Sequence, residues 1–138
     1  MGIIRTVVTL KNAIDVYKAQ EGSIKEQEIR QTNVDALVDT GAWTMVINET
    51  MKKELGLGVT RTDTGTLADG TRSMYDIVGP LLVLWENRSA ICEALVLPDA
   101  EEALLGAIPL EAMDLTINPR NEEIVGAHGD QIIHFVKQ

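Results

Sequence analysis

A chain of 138 residues has room for one domain with a real core, and 45% hydrophobic against 24% charged residues is the ordinary balance of a globular protein. Its formal charge of −9, from 21 acids against 12 bases, excludes nucleic acid as a partner class, because phosphate binding wants a basic stripe and none is present. No window approaches a membrane-spanning length, and Met1 to Leu10 lacks the basic, apolar and small-residue order of a signal peptide, so no membrane contact is expected and the default address is the cytoplasm. Aromatics are scarce, which leaves Val, Leu, Ile, Ala and Met to build the core. Cys92 is the single cysteine and lies in an alternating apolar run, where it reads as a packed thiol.

In chain order, Ile3 to Leu10 predicts a first strand. The polar, mixed stretch Lys11 to Gln31 predicts a surface loop or a short helix. Val34 to Val38 reads as a strand entering the core, and Thr44 to Ile47 as one leaving it. Asn48 is placed to cap a helix over Glu49 to Leu55, with Gly56 as its stop. A threonine-rich strand, Val59 to Leu67, and a return strand, Thr71 to Val78, flank Asp69-Gly70, the strongest two-residue hairpin signal in the chain. Gly79-Pro80 predicts a bend, Leu81 to Trp85 a strand, Glu86-Asn87-Arg88 a turn, and Ala90 to Leu97 a strand. An acidic loop over Pro98 to Glu102 precedes Leu104-Leu105-Gly106, where glycine permits close approach of a second backbone. Pro109 fits the first turn of a short helix to Met113. Leu115 to Asn118 and the turn Pro119-Arg120-Asn121 begin a hairpin ending near Val125. The tail carries Ile132, Ile133, Phe135 and Val136, an apolar run that wants a partner. The strand and turn spacing argues for an all-β fold, a small closed barrel with a hairpin flap over residues 62–78 and one or two short helices, formed by residues 1–138 as a single domain. His128 and His134 have no spacing with cysteines or acids that points to a metal, so no metal site is expected.

The hexapeptide Leu37-Val38-Asp39-Thr40-Gly41-Ala42 stands apart, because it places a carboxylate at a strand end expected to be buried. Burying such a group is costly unless it is neutralised or hydrogen-bonded, and Gly41 lets backbone N–H groups come close to it. Taken alone, the triplet reads first as an ordinary β-turn in which Asp39 bonds its own backbone. Its context extends further. Two apolar residues, Asp-Thr-Gly, then a small residue is the pattern of aspartic protease active sites, and the chain resembles the retroviral-type (retropepsin-like) enzymes that carry the signature once. Leu67-Ala68-Asp69-Gly70-Thr71 is similar to the tip of that family's flap, and Ala103 to Leu110 to its second apolar-apolar-glycine element, all in family order over residues 33 to 126.

The resemblance implies a cofactor-free, homodimeric endopeptidase acting on peptide or protein substrates. Aspartic proteolysis needs two carboxylates close enough to share a proton, and no other Asp in the chain has the Thr-Gly context, so a twofold axis has to bring two copies of Asp39 together. The family also implies that Thr40 locks the two turns across the dimer, that Gly41 contacts substrate, that Ala68, Asp69, Gly70 and Thr71 close over an extended peptide, and that the terminal strands contribute to the dimer interface. Val46 and Leu104 occupy positions that line side-chain pockets in relatives, with plain core as the equal alternative. The chain departs from the viral pattern in having Trp43 in place of an acid and Ala107 in place of an arginine. These family residues pair, so their joint absence implies apolar packing instead of an ion pair, and it affects the substrate contacts assigned to Trp43. Two other readings are compatible with the motif. One is a non-catalytic dimeric peptide-binding or assembly module on the same barrel; the other is a monomeric barrel with an incidental turn.

Overall fold

The computed structural model describes residues 3–67 and 69–130, and these are mostly β. The elements run β1 (Arg5–Asn12), α1 (Ala13–Gln20), a 3₁₀ turn (Glu26–Glu28), β2 (Gln31–Val38), β3 (Met45–Ile47), α2 (Glu49–Leu55), β4 (Gly58–Thr66), β5 (Arg72–Trp85), β6 (Arg88–Val96), β7 (Leu104–Leu105), α3 (Ala107–Ala112), β8 (Leu115–Asn118) and β9 (Glu123–Asp130). Seven strands form one sheet in the order β1-β2-β7-β3-β6-β5-β4, and a further β1–β5 pairing closes six of them into a ring with β4 outside it. Strand alternation fills the ring. Along β6 the buried positions are Arg88, Ala90, Cys92, Ala94 and Val96, while Ser89 and Ile91 face out. Val8, Leu10, Met45, Ile47, Val78, Val83 and Leu105 meet these residues in one continuous core. Burial pushes the Cys92 thiol up to about 11, which keeps it protonated and inert. No helix among the described residues is long and apolar enough to cross a membrane.

Local chemistry explains the helices. Asn48 accepts the Met51 N–H at 2.9 Å, and Gly56 ends α2 in the left-handed conformation at φ 60°, as the sequence predicts. The 11–31 stretch holds a helix rather than a loop, so the described residues contain three short α-helices where one or two were expected. Buried Asn12 caps α1 through the Asp15 N–H and reaches Leu55 O at 2.8 Å, which ties α1 to the end of α2. Buried Asp15 takes the Arg30 guanidinium in a fork, Nε to Oδ2 at 2.8 Å and Nη2 to Oδ1 at 3.0 Å, and also accepts the Arg30 backbone N–H. The Arg30 guanidinium lies over Gly56, where a Cβ would come within 1.9 Å of Nη1. The insert is thus a clasp that fixes the start of β2.

The Arg30 hydrogen bonds hold the Asp15 carboxyl below its usual range. A depressed carboxylate contributes stability that is present above its unfolded pKa and is lost as pH falls through the folded value. Asp15→Asn is therefore expected to cost about 1–3 kcal/mol at neutral pH, less than breaking a fully buried pair because Arg30 is half exposed. Urea midpoints of the two proteins should converge as the pH drops below about 4.

Two features of the β4–β5–β6 meander differ from expectation. Gly79-Pro80 does not separate two strands; it lies within β5, where the register to β6 shifts between Val78 and Leu81. Proline has no N–H to give the ladder, so the strand continues as an irregularity in a ladder that pairs on both sides of it. The Asp69-Gly70 hairpin closes through a longer loop, residues 67–71, rather than a two-residue turn. Leu67 N–H bonds Thr71 O, Gly70 N–H bonds Leu67 O, and Gly70 takes a positive φ, 87°. Asp69 Oδ1 accepts the Thr71 N–H at 2.8 Å. Ala68 and the apolar tail with His134 lie outside the described residues.

The β8–β9 pair forms a separate two-stranded sheet. Buried Arg88 donates from Nη1 to Met113 O at 2.9 Å and Asp114 O at 3.0 Å, and Asp114 in turn accepts the backbone N–H groups of Ala127 and His128. This chain of bonds fastens the hairpin to the ring. Arg88→Met keeps the apolar stem but takes the donor from Met113 O and leaves Asp114 O with the Ala127 N–H, so a loss of about 1–3 kcal/mol is expected in urea unfolding, with faster amide exchange in β8 and β9 than elsewhere.

Candidate active site

The segment from Asp39 to Thr44 leads from β2 to β3, and β7 passes between those two strands. Leu104 and Leu105 pair in parallel with Leu37 and Val38, while Leu104 also pairs antiparallel with Val46. Main-chain bonds join the two segments at every step: Leu37 N–H to Ala103 O at 2.9 Å, Asp39 N–H to Leu105 O at 3.0 Å, Ala107 N–H to Ala42 O at 2.8 Å and Ile108 N–H to Trp43 O at 2.9 Å. Gly106 makes this approach possible. A Cβ there would lie 2.1 Å from Thr44 O and 2.7 Å from Ala42 O. Behind the turn, the buried Thr44 hydroxyl donates to Glu93 O at 2.5 Å, which locks the turn to β6.

Asp39 Oδ1 accepts the Gly41 N–H at 2.9 Å, and Asp39 O accepts the Ala42 N–H at 3.1 Å. This is the tight Asp-Thr-Gly turn that the sequence predicts, but its burial differs. Asp39 is only part-buried, and Thr40 and Gly41 are exposed, because β7 covers one side of the turn and the other opens into a cavity. That cavity, about 940 Å³, is lined by Asp39, Thr40 and Gly41 together with Ile4, Val38, Leu110, Glu111 and residues of β8. No residue of the β4–β5 hairpin borders it. Asp39 therefore stands between two different surfaces, the cavity on the α3–β8 side and the sheet face that carries β4 and β5.

The other residues singled out in the sequence divide accordingly. Trp43 is 43% exposed, and two backbone hydrogen bonds, at Ala42 and Trp43, join the loop to α3. Val46 is buried and Leu104 half-buried, directly opposite one another across β3 and β7. Asp69, Gly70 and Thr71 are exposed at the end of the long β4–β5 hairpin.

A family model described as aspartyl protease matches residues 24–108, well over half of the chain. The chain belongs to the retropepsin-like aspartyl protease family. No curated protein matches it. The family region takes in β2, the Asp39 turn, the whole β4–β5 hairpin and β7, and ends in the first turn of α3. β1, α1 and the β8–β9 hairpin lie outside it. Within the family region, sequence reasoning missed one cluster beside the site: Gly65, Tyr75, Ile77 and Leu95. The signal was available in the alternation of Ser73, Tyr75 and Ile77 along one strand and of Asp63 and Gly65 along its neighbour, which puts all five on one face.

Proposed function

We propose that the protein is a homodimeric aspartic endopeptidase that hydrolyses peptide bonds with a water activated by two Asp39 carboxylates, one from each subunit. The observation that carries this reading is a single Asp-Thr-Gly turn, held by main-chain bonds to β7, whose carboxylate opens onto a cavity of about 940 Å³. Side by side, the two carboxylates share one proton. The ionised one accepts a proton from water as it attacks the scissile carbonyl, and the protonated one donates to the carbonyl oxygen; the proton then passes to the leaving amine as the tetrahedral intermediate collapses. Thr40 joins the two turns across the axis, Gly41 presents backbone to the substrate, and the β4–β5 hairpin closes over an extended peptide and excludes water. The chemistry uses no metal or cofactor.

Purified protein is expected to sediment as a dimer and to cut a pool of unstructured peptides, with cleavage read by mass spectrometry from acid to neutral pH. Asp39→Asn should be inert in the same assay. Cleavage by that variant at the wild-type rate would remove the assignment, and an active monomer would remove the shared site. A dimer that binds peptides and cuts none, with wild type and variant alike, is the behaviour of the non-catalytic binding module.

A further inference from the structure

The ladders on the two sides of β5 are interrupted at nearly the same level. Against β4 the register shifts between Val59 and Arg61, which leaves Thr60 as the extra residue of a bulge; against β6 it shifts between Val78 and Leu81, around Gly79-Pro80, with Glu93 opposite. Residues 72–76 of β5 pair with β4 and not with β6, so the arms 61–66 and 72–76 project from the ring as a two-stranded ribbon. Along β4 every residue is exposed except the half-buried Gly65. A ribbon of this kind is marginal by itself and gains little from apolar burial, so the bonds at its base govern where it stands.

Those bonds converge on Glu93. Arg61 Nη1 donates to both carboxylate oxygens, Oε1 at 2.7 Å and Oε2 at 2.6 Å, and the Thr60 hydroxyl lies 3.2 Å from Oε2 and 3.1 Å from Ile77 O. The ion pair runs from β4 to β6 across β5 and so spans both interrupted ladders. With its main chain the same residue holds the other side of the site, because Glu93 O accepts the Thr44 hydroxyl behind the Asp39 turn. Among the described residues an ion pair from Lys52 to Asp76 also reaches the ribbon, but at 3.9 Å it is the longer of the two.

We infer that Glu93 is a positioning residue: by gripping Arg61 and Thr60 where the ladders break, it sets the angle at which the β4–β5 hairpin stands to the sheet face beside Asp39. The inference rests on the peptidase reading for what the hairpin covers, while the latch itself does not depend on it. A ribbon attached through two interrupted ladders can tilt about that line, and covering a peptide then depends on how much of the time the closed angle is held. An exposed, charge-assisted contact adds little to global stability, yet it is enough to bias two tilts that differ little in free energy. Glu93 acts through Arg61 and Thr60 and has no part in the proton transfers.

The test measures amide hydrogen exchange and peptide-cleavage kinetics for the wild type, Glu93→Gln, Arg61→Gln and the double variant. Each single variant is expected to keep the wild-type urea midpoint, to exchange the amides of 61–66 and 72–76 about threefold faster with those of β1, β2 and β7 unchanged, and to raise KM about threefold at constant kcat. The double variant should match the singles, because both substitutions remove the same contact. Unchanged exchange in the folded variants overturns the inference, and so do additive effects of the two substitutions. A lowered midpoint with faster exchange throughout the ring overturns it as well, since Glu93 would then serve the fold as a whole. Faster exchange of the ribbon with KM unmoved separates the latch from substrate binding and removes the positioning role. If the wild type cuts nothing, the peptidase reading falls, and exchange in the four proteins alone decides the latch.

Discussion

Replacing Asp39 by asparagine is expected to lower peptide cleavage by at least about a thousandfold, the upper range for loss of a positioned acid or base. Asparagine is the informative substitution because its Oδ1 can still accept the Gly41 N–H, the bond that Asp39 makes at 2.9 Å. The turn then survives, and the change is confined to proton transfer. Urea unfolding should agree with the wild type within about 0.5 kcal/mol. Dimer dissociation measured by sedimentation should be no weaker, since the variant removes the negative charge that the proton-sharing pair holds at the axis. Asp39→Ala would confound these readings, because losing the turn bond costs about 1 kcal/mol besides the chemistry.

Gly106→Ala is expected to have the largest effect on the fold. The backbone at Gly106 is extended, with φ −92° and ψ −174°, so alanine meets no conformational penalty there and the cost is purely steric. Its Cβ would be 2.1 Å from Thr44 O, 2.7 Å from Ala42 O and 2.9 Å from Thr44 C, all main-chain atoms of the active-site turn. None of them can rotate away. Relief requires β7 to move off the turn, which breaks the bonds from Ala107 and Ile108 to Ala42 O and Trp43 O. Overpacking of about 1–3 kcal/mol plus two hydrogen bonds of about 1 kcal/mol each gives a loss of about 3–5 kcal/mol, measured by urea unfolding. Gly58→Ala is the control, because nothing lies within 4 Å of a Cβ there, and its unfolding midpoint should barely move. Equal midpoints for the two variants would mean that β7 is not clamped against the turn.

What could be read from the sequence follows how local each signal is. Asn48 and Gly56 bracket α2 because a cap and a left-handed stop act within one turn of the helix. Gly106 was legible because an apolar-apolar-glycine run has few uses other than close backbone approach. The Gly79-Pro80 irregularity was not, since whether a proline ends a strand or deforms it depends on whether β6 pairs on both sides of it. The clasp of Asp15 and Arg30 spans fifteen residues and joins segments that each look like polar surface. Asp39 was expected to be buried because its flanking strand is apolar, but Val34 and Ala36 face the ring interior while Asp39 follows Leu37 on the opposite face.

The passage of β7 between β2 and β3 also sets an order of events at the ribosome. Residues 31–47 supply the two outer strands early, but the strand between them comes from residues 104–105, after the hairpin and β6 have emerged. A nascent chain shorter than that has the aspartate and no scaffold to orient it. Pairings this distant in sequence close late and slowly. The support that holds the Asp39 turn in place is thereby withheld until residues 104–105 have been made.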